Sequence, residues 1–135
     1  MGLPLKVLLD THVLLWFLQD DSKLSPVARQ NLRLYSTHAF VSVVSVWEIA
    51  AKSSLGKLRL YAPLAKMLDE EIPENGFELL PVERDHLLQV QNLPFPANGH
   101  SDPFDRMLVA QALAEDFEIL SADAKLDAYG VRRVW

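Results

Sequence analysis

Five carboxylates along the chain, Asp10, Glu48, Asp102, Asp105 and Asp123, have the type and placement to do chemistry together. Each stands where an apolar run ends or a helix opens. Carboxylates gathered in one place repel, and each raises the pKa of the others unless a cation is shared among them. An all-oxygen set of this kind selects a hard divalent ion, Mg²⁺ or Mn²⁺, with some carboxylates bound directly and others orienting its waters. Such an ion lowers the pKa of bound water and neutralises charge on a phosphoryl transition state, while a carboxylate positions or deprotonates the attacking water. Phosphodiester hydrolysis without a covalent intermediate is the reaction expected of it.

Each acid also has a purely structural use. Ser45-Val46-Trp47-Glu48 has the S-x-x-E spacing of a capping box. Asp102 precedes Pro103 as a good helix N-cap, and Asp105 suits a helix N-terminus. Asp123 would cap a short turn over Ala124 to Asp127, and Asp10 would simply end a strand. What separates the two uses is where the elements deliver these side chains.

Leu5 to Leu9 reads as a strand buried on both faces, ended by Asp10, and Val13 to Leu18 as a short, mostly buried helix. Ser25-Pro26 opens a helix through about Leu34. A second strand, Ala39 to Val44, runs into a helix that begins at the capping box and ends at Gly56. A helix over Pro63 to Glu71, a turn at Pro73 to Gly76, a strand over Phe77 to Val82 and a helix over Glu83 to Leu93 follow. Pro94 to Gly99 is an irregular loop. Asp102-Pro103 then opens a helix to about Ala114, and Phe117 to Ser121 and Val131 to Trp135 are the last strands.

Strands alternating with helices imply a three-layer α/β/α fold with a central parallel sheet of four to five strands. In such sheets functional groups gather beyond the carboxyl ends of the strands. Strands one, two and four deliver Asp10, Glu48 and Asp123 to one edge, and the long loop lets the helix start with Asp102 and Asp105 face it.

Composition narrows the reading further. The chain has 135 residues, half of them apolar and 23% charged, with no cysteine, the profile of one domain over residues 1–135. Such a chain buries roughly 65–70% of its unfolded surface and needs no disulfide to hold a core. The missing cysteines exclude thiol catalysis and a cysteine-ligated zinc site. Apolar runs such as Val13 to Leu18 fall far short of the roughly 20 residues of a membrane span, and Met1-Gly2-Leu3-Pro4 lacks a cationic signal region, so a cytoplasmic chain is expected.

A net charge of −5 speaks against a broad basic surface for nucleic acid. Without the five site acids the remainder is neutral, which leaves room for a local basic rim at Lys52, Lys57, Arg59 and Arg106. His12, His38, His86 and His100 show no H-x-x-x-H spacing, so zinc is not expected. His100, beside the acids, either contacts substrate or braces the loop. No phosphate-binding glycine loop and no G-x-S-x-G elbow is present. His12 stands where an aspartyl phosphatase would carry its second aspartate.

Four segments in order, Leu8-Leu9-Asp10-Thr11-His12, Ser42 to Ile49, His100-Ser101-Asp102-Pro103-Phe104-Asp105-Arg106 and Leu120-Ser121-Ala122-Asp123, resemble the PIN-domain family. More narrowly they are similar to the VapC-type toxins of bacterial toxin-antitoxin pairs, in the branch with an H-x-D-P-F-D-R segment. The resemblance spans essentially the whole chain. It implies a Mg²⁺- or Mn²⁺-dependent ribonuclease, dimeric, held inactive by a small cognate antitoxin. It places Asp10, Glu48, Asp105 and Asp123 at the family's four acids, with Asp102 an extra metal-site acid of this branch. Thr11 falls where the family often has a hydroxyl; with Lys52 and Arg106 it makes up the expected substrate-binding set. A non-catalytic PIN-like interaction module and a stand-alone nuclease acting on DNA remain alternatives at this point.

Overall fold

Side chains alternate across strand β1 (Val7–Leu9): Val7 and Leu9 enter one apolar cluster and Leu8 enters another. A strand buried on both faces requires cover on both. Helices α1 (Thr11–Leu18) and α2 (Pro26–Leu34) contribute Val13, Leu14, Ala28 and Leu32 to the first cluster. Helix α7 (Pro103–Glu115) contributes Leu108, Val109 and Ala112 to the second. The structure, a computed structural model, describes residues 6–34 and 38–135. Leu5, expected to begin the first strand, and the segment Met1 to Pro4 lie outside the described residues.

The remaining strands are β2 (Ala39–Ser42), β3 (Glu78–Leu80), β4 (Glu118–Leu120) and β5 (Arg133–Val134). All pair in parallel in the order β3-β2-β1-β4-β5, so the three-layer α/β/α architecture expected from the alternation is the one observed. Helix α3 (Val43–Ser54) follows β2 directly, and Gly56, at φ +72°, lies just past its end. The helix expected over Pro63 to Glu71 consists of α4 (Leu64–Lys66), a π-helical turn (Met67–Glu71) and α5 (Ile72–Glu74). The chain therefore turns at Asn75 and Gly76, after Pro73 and Glu74. Helix α6 (Arg84–Gln91) packs on α7 but leaves Leu87 and Leu88 exposed. A 3-10 helix (Ala124–Tyr129) links β4 to β5. Among the described residues no helix is long and apolar enough to cross a membrane.

The capping box expected at Ser45 and Glu48 does not form. Ser42, extended at φ −71° and ψ 142°, is the N-cap of α3, and its Oγ accepts from the Val44 N–H at 3.0 Å. Strand two is thus shorter than the apolar run suggested, and Val43 and Val44 belong to the helix. The same Ser42 hydroxyl donates to Gln111 Oε1 at 2.5 Å, and Gln111 Nε2 donates to the Pro81 carbonyl. Next to Gln111, buried His86 takes the Glu83 N–H on Nδ1 and contacts Glu115 through Nε2 at 2.7 Å. These bonds satisfy the polar atoms between α3, α6 and α7.

Removing the cap orphans the Gln111 acceptor as well. Ser42→Ala should therefore cost about 1–3 kcal/mol in urea unfolding. Were Ser45 the cap instead, Ser42→Ala would leave the midpoint unchanged.

Candidate active site at the sheet switch point

Strand order reverses between β1 and β4, and such reversals open a crevice beyond the strand ends. Leu9 pairs with Leu120, so the next residues, Asp10 and Ser121, emerge side by side. Ser121 Oγ donates to Asp10 Oδ2 at 2.7 Å and accepts from the Asp123 N–H at 3.0 Å. One hydroxyl thereby fixes two of the acids. Its place at the end of β4, inside the Leu120 to Asp123 segment, is the signal the sequence carries for it.

Glu48 reaches the crevice from α3. Because the helix begins at Val43, Ser45 and Glu48 occupy interior positions one turn apart on one helix face. Ser45 Oγ accepts from Thr11 Oγ1 at 2.9 Å, which ties α3 to the start of α1. Glu48 Oε2 accepts from Lys52, four residues on. Bonding to Glu48 raises the Lys52 pKa, and the charges of Asp102 and Asp105 add to the rise.

The third group enters with α7. Asp102 Oδ1 accepts from the Asp105 N–H at 2.9 Å, confirming it as the N-cap. Asp105 Oδ2 lies 3.2 Å from His100 Nε2, and His100 Nδ1 lies 2.6 Å from Tyr129 Oη. Asp123 Oδ1 caps the 3-10 helix by accepting from the Lys125 N–H. Donor atoms of His100, Asp105 and Asp123 all lie within 4.8 Å of one another.

The acids around this cluster are held against their own charge. Burial pushes the Asp105 carboxyl up to about 6, and the charges of Asp10 and Asp102 push the same way. Asp10 is raised chiefly by desolvation, against the lowering effect of the Ser121 hydroxyl. Among the described residues three buried side-chain oxygens lack any hydrogen-bond partner, and two of them are Asp10 Oδ1 and Glu48 Oε1. Unshared carboxylate oxygens beside a carboxyl of raised pKa are the donor set a hard divalent ion takes.

The substrate-binding expectations divide. Lys52 remains 38% exposed at the rim of the crevice. Thr11 is buried, with its hydroxyl committed to Ser45. Arg106, expected on a basic rim, is buried instead. Its guanidinium donates to the Leu93 carbonyl at 2.7 Å and the Pro94 carbonyl at 3.2 Å, and its centre lies 3.7 Å from the Phe95 ring centroid. It anchors the loop before α7 to the helix. Lys57 and Arg59 are exposed beyond the end of α3.

The model of the PIN domain matches residues 7–131. The chain belongs to the PIN domain family. This PIN chain is 24% identical over 123 residues to Ribonuclease VapC22 of Mycobacterium tuberculosis, with 91% of each chain covered. Among solved structures it is similar to a DNA-bound VapBC from Salmonella typhimurium, at TM-score 0.69 and 16% identity over 97% of this chain and 98% of that one. VapBC2 from Rickettsia felis, bound to a promoter DNA fragment, matches at TM-score 0.70 and 13% identity, covering 95% and 96%. These likenesses establish the fold.

The two acids at the start of α7 separate by experiment. Asp102→Ala should cost about 0.5–2 kcal/mol through the lost cap, and Asp102→Ser, which keeps a capping oxygen, should recover most of it. Equal stability of the two variants in urea would contradict the capping role.

Asp105 carries a pH signature instead. Its carboxyl moves from 3.8 to about 6 on folding, so the folded protein holds the extra proton between those values and loses stability as pH rises through them. In chelator, Asp105→Asn should raise the melting temperature above pH ~6 and give no such gain below pH ~4. A gain of equal size at both would show that the carboxylate is not strained.

Proposed function

We propose that this PIN chain is a metal-dependent endoribonuclease that hydrolyses RNA phosphodiester bonds, the toxin member of a toxin-antitoxin pair. The observation that carries the reading is the pair of buried, unpartnered oxygens on Asp10 and Glu48 beside the raised carboxyl of Asp105. Its support from outside the chain is the ribonuclease name of the Mycobacterium relative and the VapBC identity of the structural neighbours. A cognate antitoxin follows from the same likeness.

Asp10, Glu48, Asp105 and Asp123 would hold Mg²⁺ or Mn²⁺, and Asp102 adds charge from the helix cap. When bound, the cation supplies acidified water and neutralises charge at the scissile phosphate. The protein's own groups do the positioning. Ser121 fixes Asp10, the Thr11–Ser45 bond sets α1 against α3, and a carboxylate facing the crevice orients and deprotonates the attacking water. Lys52, now paired with Glu48, is placed to exchange that partner for a phosphate oxygen of the substrate. An apolar groove of about 500 Å³ opens beside the site, lined by Trp47, Leu87, Phe95 and Phe104. Trp47 is 62% and Phe95 69% exposed, a face suited to the homodimer contact.

Purified protein stripped of metal should cleave single-stranded RNA only after Mg²⁺ or Mn²⁺ is restored, with Ca²⁺ a poor substitute. Asp10→Asn should remain folded and lose at least about 100-fold of that cleavage. Cleavage undiminished in EDTA would overturn the metal mechanism. Cleavage of DNA in preference to RNA would turn the reading toward a DNA nuclease, and a folded, metal-loaded protein inert on both would leave a binding module.

A further inference from the structure

One side chain at the site, His100, has no part in the acid set, yet it is almost fully covered, with 7% of its side chain exposed. We propose that His100 is a nitrogen ligand of the site cation, so that His100, Asp105 and Asp123 form a mixed nitrogen–oxygen subsite favouring Mn²⁺ over Mg²⁺. The proposal rests on the reading of the crevice as a divalent-cation site; it does not depend on which nucleic acid is cut.

The contacts of Tyr129 admit the tautomer that a metal ligand needs, with the proton on Nδ1. A phenol has one proton to give and two lone pairs with which to accept. Tyr129 Oη donates to the His100 carbonyl at 3.4 Å and accepts from Arg106 Nη1 at 3.4 Å. Its closest contact, 2.6 Å to His100 Nδ1, is satisfied together with those two only when Nδ1 is the donor. Nε2 of the neutral ring is then a bare lone pair, and it faces Asp105 Oδ2 at 3.2 Å. Two acceptors facing each other at that distance repel, and a cation held between them reverses the sign.

The distances suit one ion. Donor atoms each about 2.2 Å from a metal are at most roughly 4.4 Å apart. The three donors here lie within 4.8 Å of one another, so closure by a few tenths of an ångström brings them into range. The outer shell is also in place, because a ligating histidine donates its other N–H to a fixed partner, here Tyr129. Tyr129 is held in turn by Arg106, anchored on Leu93 and Pro94. Imidazole suits first-row transition ions better than Mg²⁺, which keeps to oxygen ligands. Asp10 and Glu48, whose charges act on Asp105, each keep an unpartnered oxygen outside this three-donor group.

The test reads the metal rather than the reaction. Full-length, metal-free protein receives one equivalent of Mn²⁺, and pulsed EPR records nitrogen coupling to the ion. Coupling is expected in wild type and in His12→Ala, with the pattern changing from ¹⁴N to ¹⁵N in protein labelled with ¹⁵N-histidine, a readout that needs no variant. His100→Gln should abolish the coupling, weaken Mn²⁺ binding at least about 10-fold and leave Mg²⁺ affinity within about 3-fold. Tyr129→Phe should keep the coupling and weaken Mn²⁺ by about 10-fold. Bound Mn²⁺ with no nitrogen coupling in wild type would overturn the proposal, as would coupling that survives His100→Gln or vanishes in His12→Ala. A protein with nitrogen coupling and no nuclease activity would sink the ribonuclease reading and leave the ligand assignment standing.

Discussion

Like charge held in a water-poor crevice is the constraint around which this protein is organised. Asp10 and Glu48 are buried with an unpartnered oxygen each, and Asp105 faces them with its carboxyl pushed up to about 6. Folding must assemble these groups against their repulsion, and the surrounding atoms offset it only in part. Ser121 donates to Asp10 and Lys52 to Glu48. The acids at the start of α7 gain further from the partial positive charge of a helix N-terminus. Such a compromise leaves the protein less stable than its packing alone would allow.

Rigidity of the scaffold is what keeps that compromise from relaxing. Strand β1 is fully buried between two apolar clusters, so the end that presents Asp10 has no freedom to swing toward water. Helix α3 is tied twice, at its cap by the Ser42–Gln111 bond and on its site-facing side by Thr11 and Ser45. Gln111 belongs to α7, the helix that carries Asp102 and Asp105. A shift of α3 relative to α7 would break this buried polar bond.

The outside of the same region is apolar. Trp47 and Phe104 meet edge to face with ring centroids 5.0 Å apart, and they adjoin exposed Phe95 and Leu87. The acids therefore lie beside a face that water covers poorly, so a partner seated there would stand next to the crevice. The basic residues beyond α3, Lys57 and Arg59, are exposed.

The fold class was legible in the residues themselves. Strand and helix alternation is written in local hydrophobic runs, and the placement of Asp10 and Asp123 just past strand ends follows from it. Local pattern failed where two short-range solutions compete. Ser42 and Ser45 both offer a helix cap, and only the register of β2 with β3, which keeps Ser42 extended opposite Leu80, decides for the former. Arg106 looked like a surface cation because charge is usually solvated; the carbonyls of Leu93 and Pro94, 13 and 12 residues earlier, take it inside. His100 acquires its orientation from Tyr129, 29 residues away. Residue type and spacing determined which groups arrive at the crevice. Which nitrogen, hydroxyl or carbonyl each one meets there depends on contacts between distant segments, and no local periodicity encodes those.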